Sequence, residues 1–187
     1  MKLIFRLSQN FASTIEDPRV IGVIKECGGK MFMAEKKWQE ALEQFQESFK
    51  SHVECGSSRA KTLLKYVILA SLLAKAEFDV LSTNEAQIFK GDPEIIGMTT
   101  LKQGFHSNDI KLIQEVLGDK KINLLGDTFI AQYLDELLRS VRLNAVAAIC
   151  KPYKTVKLAF LAKKMNVAVS EIRGLLSELI LEEKLEG

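Results

Sequence analysis

Apolar residues return at every third or fourth position along most of this chain, which is the period of helices buried on one face. Leu3, Ile4, Phe5 and Leu7 predict part of one helix ahead of a break at Asp17-Pro18. The next is predicted from Arg19 through Val20, Val23, Ile24 and Cys27 to about Ala34. A turn at Glu35 to Lys37 leads into a partner with Trp38, Ala41, Leu42, Phe45 and Phe49 on one side. The pair has the logic of a tetratricopeptide unit. Gly29 is small enough for close approach, Phe32 follows it, and Ala41 and Phe45 come after at nearly the spacing of that repeat. No second full copy appears at the period of about 34 residues, so the array is read as degenerate.

Ser57 or Ser58 should cap a helix from Arg59 to Ala76. It carries Leu63, Leu64, Tyr66, Val67, Ile68, Leu69, Leu72 and Leu73, is apolar nearly all round, and so belongs at the centre of the array. Residues 77–90 read as irregular. Asp92-Pro93 is a firm helix start, and that helix is expected to end near Gly104. Ser107 or Asn108 is expected to cap another through Ile110, Ile113, Val116 and Leu117, stopping at Gly118. Asp127 caps the longest helix, Thr128 to about Ile149. Phe129, Tyr133, Leu137 and Val141 form one stripe, with Ile130, Leu134, Leu138 and Ala145 beside it, so this helix needs neighbours on two sides. Pro152 ends it.

The remainder predicts a short strand at Thr155 to Leu158, then a helix with Leu158, Leu161, Ala162 and Met165 on one face. After a break at Asn166 comes a helix with Ile172, Leu175, Leu176, Leu179 and Ile180, and a second strand at Lys184 to Glu186. That order is a winged helix, a relative of the helix-turn-helix. The expected fold is therefore mainly α: TPR-like helical repeats over 1–126, a connecting helix over 127–150, and a winged helix with an incomplete wing over 151–187.

Charge changes the picture at this end. Lys151, Lys154, Lys157, Lys163 and Lys164 have no acidic residue among them. Beyond Asn166, Glu171, Glu178, Glu182, Glu183 and Glu186 face only Arg173 and Lys184. The second helix is the one a DNA-binding helix-turn-helix lays in the major groove. Nucleic-acid affinity draws on neutralising phosphates, so an acidic helix there argues for protein contacts. The polarity suggests stacking of basic end on acidic end, a heterologous contact. A nucleic-acid-binding winged helix using the five lysines is the alternative.

Composition adds exclusions. Net charge is +2, with 47% hydrophobic and 27% charged residues and only 3 Pro, which describes a packed domain and gives no global case for nucleic acid or membrane. Lys65 and Lys75 interrupt the most apolar stretch, short of a membrane span, and Met1 to Leu7 is too short for a signal peptide. Cys27, Cys55 and Cys150 are odd in number and widely spaced, as reduced thiols of an intracellular protein are. His52 and His106 stand in polar contexts and read as surface residues. No catalytic, cofactor-binding or metal-binding set appears, and no small-molecule substrate is expected. Cys27-Gly28-Gly29 lacks the strand-loop-helix context of a phosphate loop.

Helical repeats leading into a winged helix resemble the PCI domain family, found in subunits of the proteasome lid, the COP9 signalosome and the translation initiation factor 3 complex. The likeness to the signalosome branch is carried by Val23 to Met31, Leu64-Lys65-Tyr66, and the block from Glu85-Ala86 to Asn108-Asp109-Ile110 with Asp92 to Ile96 and Met98-Thr99. Leu137-Leu138-Arg139, Arg142 and Lys151-Pro152-Tyr153 extend it. The paralogous proteasome lid subunit fits the block from Glu85 to Ile110 less well. The resemblance implies a non-catalytic scaffold subunit, cytoplasmic and nuclear, in the complex that removes the ubiquitin-like modifier Nedd8 from cullin-RING ligases. Its partners would be other PCI subunits and cullin-RING ligases. Thr155, Val156, Lys157, Lys163, Lys164, Leu185 and Glu186 are the expected partner-binding residues. Members of that branch carry repeats ahead of Pro18 and continue past Gly187, so the chain is expected to be a fragment or a shortened form.

Overall fold

The computed structural model describes residues 17–76, 79–107, 109–119, 122, 124–153, 155–165 and 167–181. The helix expected around Leu3 to Leu7 and the strand at Lys184 to Glu186 lie outside them. In chain order the helices are α1 (Pro18–Ala34), α2 (Trp38–Glu54), α3 (Arg59–Leu73), α4 (Asn84–Gln87), α5 (Pro93–Ser107), α6 (Ile110–Gly118), α7 (Thr128–Cys150), α8 (Leu158–Met165) and α9 (Val169–Leu181). Short 3-10 turns at Val80–Ser82 and Leu124–Gly126 join them. The fold is mainly helical, a TPR-like array leading into a helix-turn-helix.

Aspartates set four of the helix starts. The Asp17, Asp92 and Asp127 carboxylates accept from the backbone N–H groups of Arg19, Glu94 and Phe129 at 2.9, 2.9 and 3.0 Å, satisfying donors that a helix start leaves open. Asp109, not Ser107 or Asn108, caps α6, accepting from Lys111 and Leu112 at 3.0 and 3.2 Å. Residues 80–87 are more ordered than the sequence suggests, because Val80 and Ala86 are buried against the array.

α1 and α2 meet through two holes. A Cβ on Gly29 would lie 2.5 Å from the Phe45 ring, and one on Gly22 would lie 2.9 Å from the His52 ring. Gly22 and Gly29 are two helical turns apart, as are Phe45 and His52, so each ring of α2 seats over a glycine of α1. Between them Ser48 donates its hydroxyl to the Gly22 carbonyl at 2.6 Å. His52 is therefore not a surface residue but 5% exposed: the missing side chain at Gly22 makes the space that buries it. Burial lowers its pKa, and the ring packs as neutral imidazole. The contact uses the glycine side of α1, so Val20, Val23 and Cys27 stay exposed.

α3 is central, as expected, with every residue from Leu63 to Leu72 buried. Its polar positions bind the surrounding elements. Arg59 forks onto Glu26 of α1 at 2.7 and 2.6 Å, and Lys30 reaches the same carboxylate at 2.7 Å. Burial by itself raises the Glu26 pKa, but the hydrogen bonds from Arg59 and Lys30 outweigh it and hold the carboxyl at about 2. Lys65, 7% exposed, reaches Glu94 at 2.6 Å and stands 3.9 Å from Asp127. Lys61 holds Asp92 and Glu94 at 2.9 and 2.6 Å. Tyr66 donates its hydroxyl to Asp127 at 3.4 Å. The caps of α5 and α7 are thus tied to one face of α3.

One core gathers α2, α3, α5, α6 and the first half of α7, through to Val141. A second begins at Leu143 and joins the end of α7 to α8 and α9. The strand expected at Thr155 to Leu158 does not form. Leu158 is already helical, and the Lys157 carbonyl accepts from Phe160 and Leu161 at 3.0 and 3.3 Å. A strand needs a ladder partner, and no strand pairs there among the described residues.

Gly29→Ala should cost about 1–3 kcal/mol, since a buried ring must shift to admit the methyl group. Gly174→Ala in α9, where a Cβ meets nothing within 4 Å, should be neutral or gain up to about 1 kcal/mol from helix propensity. Thermal unfolding of the two variants decides this.

The depressed Glu26 pKa contributes stability that is complete above its ordinary 4.5 and is lost as pH falls toward about 2. Arg59→Met leaves a buried carboxylate with Lys30 alone. Because Arg59 is half exposed, the loss at neutral pH should be modest, about 1–3 kcal/mol. Stability should then depend less on pH across the acid range, measured as urea midpoints at stepped pH.

Candidate partner-docking surface

The C-terminal module begins where α7 stops. Pro152 cannot continue the helix, and Tyr153 closes a turn by donating its N–H to the Cys150 carbonyl at 2.9 Å. α8 then turns Leu161, Ala162 and Met165 inward, onto Leu143, Ala145 and Val146 of α7 and Ile172, Leu175 and Leu179 of α9. Between α8 and α9, Val167 donates its N–H to the Ala162 carbonyl at 3.1 Å. Three helices around one apolar centre fix the outward face of α8.

Of the residues expected to bind a partner, Thr155, Lys157, Lys163 and Lys164 are exposed on this face, while Val156 is half-buried and packs on the second core. Leu185 and Glu186 lie outside the described residues, as does Lys154. Among the described residues none of Lys151, Lys157, Lys163 and Lys164 pairs with a carboxylate.

The acidic half of the expected polarity is different. Arg142 holds Glu171 at 2.6 Å, and Arg139 holds Glu178 at 2.6 and 3.1 Å. Burying Ile172, Leu175 and Leu179 lays α9 back along α7, so the two glutamates face two arginines of the same chain. Among the described residues Glu171 and Glu178 are paired with arginines, and Lys151, Lys157, Lys163 and Lys164 are not paired with carboxylates. An open groove of about 580 Å³ follows this seam, lined by Lys36, Asp135, Glu136, Arg139, Ser140, Leu143 and Glu178. Lys36 closes one side of it by pairing with Glu136 at 2.9 Å.

Two exposed aromatics, Tyr153 and Phe160, also belong to the surface. The apolar-period reading passed over them, although Phe160 stands off the buried stripe of α8 and is visible for that reason. Burial raises the Cys150 pKa, which disfavours a reactive thiolate. Among the described residues no group of three His, Cys, Asp or Glu is placed to hold a metal ion, and no helix is long and apolar enough to cross a membrane.

Residues 109–187 match the family described as PCI domain. The whole chain is 40% identical to COP9 signalosome complex subunit 2 of Schizosaccharomyces pombe and 37% identical to its namesake in Dictyostelium discoideum, covering 43% and 42% of those proteins. The chain therefore spans less than half the length of these curated relatives. A match to the probable 26S proteasome regulatory subunit rpn-6.2 of Caenorhabditis elegans is 22% identical over 95% of the chain and 44% of that protein. The resemblance read from the residue blocks holds along the whole sequence, with the signalosome branch ahead of the proteasome one.

Ile172 is fully buried, so Ile172→Ala should cost about 2–5 kcal/mol. Arg139→Ala with Arg142→Ala removes two partly exposed ion pairs and should together cost less than Ile172→Ala alone. Urea unfolding at low salt measures both. A larger loss from the arginine pair would overturn the ranking of apolar packing above charge in this module.

Proposed function

Since residues 109–187 belong to the PCI domain family, we propose that the chain is part of a non-catalytic assembly subunit of the COP9 signalosome. The observation that carries this is identity of 33–40% to subunits of that name along nearly its whole length. In this reading the module of α8 and α9 joins sister PCI subunits through Thr155, Val156, Lys157, Lys163 and Lys164, extended by Leu185 and Glu186. The helical array serves to dock cullin-RING ligases, and the removal of Nedd8 is catalysed by another subunit, in cytoplasm and nucleus. A surface of unpaired lysines on a rigid helix suits assembly, because complementary charge steers encounter and rejects wrong partners.

Nucleic-acid binding is the second reading, favoured by the same exposed lysines. Phosphate contacts would make it steeply salt-dependent. Against it, α9, the helix that would enter the groove, keeps Glu171 and Glu178 on Arg142 and Arg139 and carries one basic residue, Arg173.

Reversing Lys157, Lys163 and Lys164 to Glu should weaken co-purification with sister PCI subunits by about tenfold or more, with the helical circular dichroism unchanged. Unchanged co-purification would sink the assignment. A fluorescence titration with duplex DNA and RNA tests the second reading.

A further inference from the structure

Two aromatic rings stand half in water beside the lysines of α8. Tyr153 is 53% and Phe160 47% exposed. Their centroids lie 6.4 Å apart with planes at 69°, an edge-to-face pair. Phe160 does not turn inward because Leu161, Ala162 and Met165 fill the buried side of its helix. Lys164 places its ammonium 5.9 Å from the Phe160 centroid, and the helical spacing puts Lys157 and Lys163 on the neighbouring positions.

We propose that Tyr153 and Phe160 form an aromatic anchor for a short acidic segment of another protein, one with a large apolar side chain among its carboxylates. This rests on the assembly reading and specifies the chemistry of the neighbour. Exposed aromatics are enriched at protein interfaces, and lysines that pair with no carboxylate among the described residues favour an acidic partner. Glu171 and Glu178 of a second copy are already engaged by Arg142 and Arg139, which favours a different protein as the occupant. Single-stranded nucleic acid fits less well. α8 rises only about 12 Å over its length, short for a platform that stacks successive bases.

The test titrates the full chain with three fluorescent probes: a short peptide of Asp and Glu around a central Phe-Leu, the same peptide with Ala-Ala at its centre, and an oligothymidylate. The Phe-Leu peptide should bind about tenfold more tightly than the Ala-Ala peptide. Phe160→Ala and Tyr153→Ala should each erase that preference, and reversal of Lys157, Lys163 and Lys164 to Glu should abolish binding of both peptides. Equal binding of the two peptides, tighter binding of the oligothymidylate, or no peptide binding would each overturn the anchor. Co-purification with sister subunits separates the two claims. Loss on lysine reversal but not in Phe160→Ala removes the anchor and leaves the assembly reading, and no loss in either variant removes both. Circular dichroism of each variant confirms that half-exposed rings can be cut back without unfolding the chain.

Discussion

Everything C-terminal of the helical array is positioned by one constraint: α7 is a member of two cores. Val141 belongs to the first and Leu143 to the second. Two residues along an α-helix turn through about 200°, so the helix buries one side toward the array and nearly the opposite side toward α8 and α9. It cannot rotate or slide without exposing one set or the other. Its start is fixed as well, since Asp127 caps α7 and also meets Tyr66 and Lys65 of α3. The outward face of α8 is thereby oriented with respect to the array.

Burial and charge divide the work. Apolar packing holds α9 on α7, and because that packing aligns the helices, Glu171 and Glu178 meet Arg142 and Arg139. Partly exposed pairs of this kind contribute little stability. They do give the two glutamates opposite charges within their own chain. Among the described residues, Lys157, Lys163 and Lys164 stand outward beside two aromatic rings. The buried Glu26 pair is a different case: there the carboxylate is out of water, and Arg59 and Lys30 are what keep it ionised.

The shifted groups inside the array follow from the same packing. The Glu26 carboxyl is held low by two cations inside a helix junction, and the buried His52 imidazole fills the space above a glycine. Both are accounted for by helix packing, which is the ordinary source of such shifts when no cleft converges on them.

Much of the fold was legible in the sequence, and the candidate site only in part. Periodicity located the helices because one-sided burial writes itself into every third or fourth residue, and Asp92 and Asp127 announced two of the starts because capping is local chemistry. Gly29 as a point of close helix approach and the central place of α3 could also be read, though not that Phe45 is the ring above Gly29. Lys157, Lys163 and Lys164 were legible as a charge run. The sequence could not say that His52 would be buried, since the hole it fills belongs to Gly22 on another helix. It could not say that Thr155 to Lys157 would remain without a ladder, because a strand exists only by its partner. Nor could it say that Glu171 and Glu178 would be spent on Arg142 and Arg139, for a charge run shows sign and spacing and not which opposite charge lies across the fold. Local order and sign were determined by the chain. Which groups are left free to meet another protein was decided by how its helices close on each other.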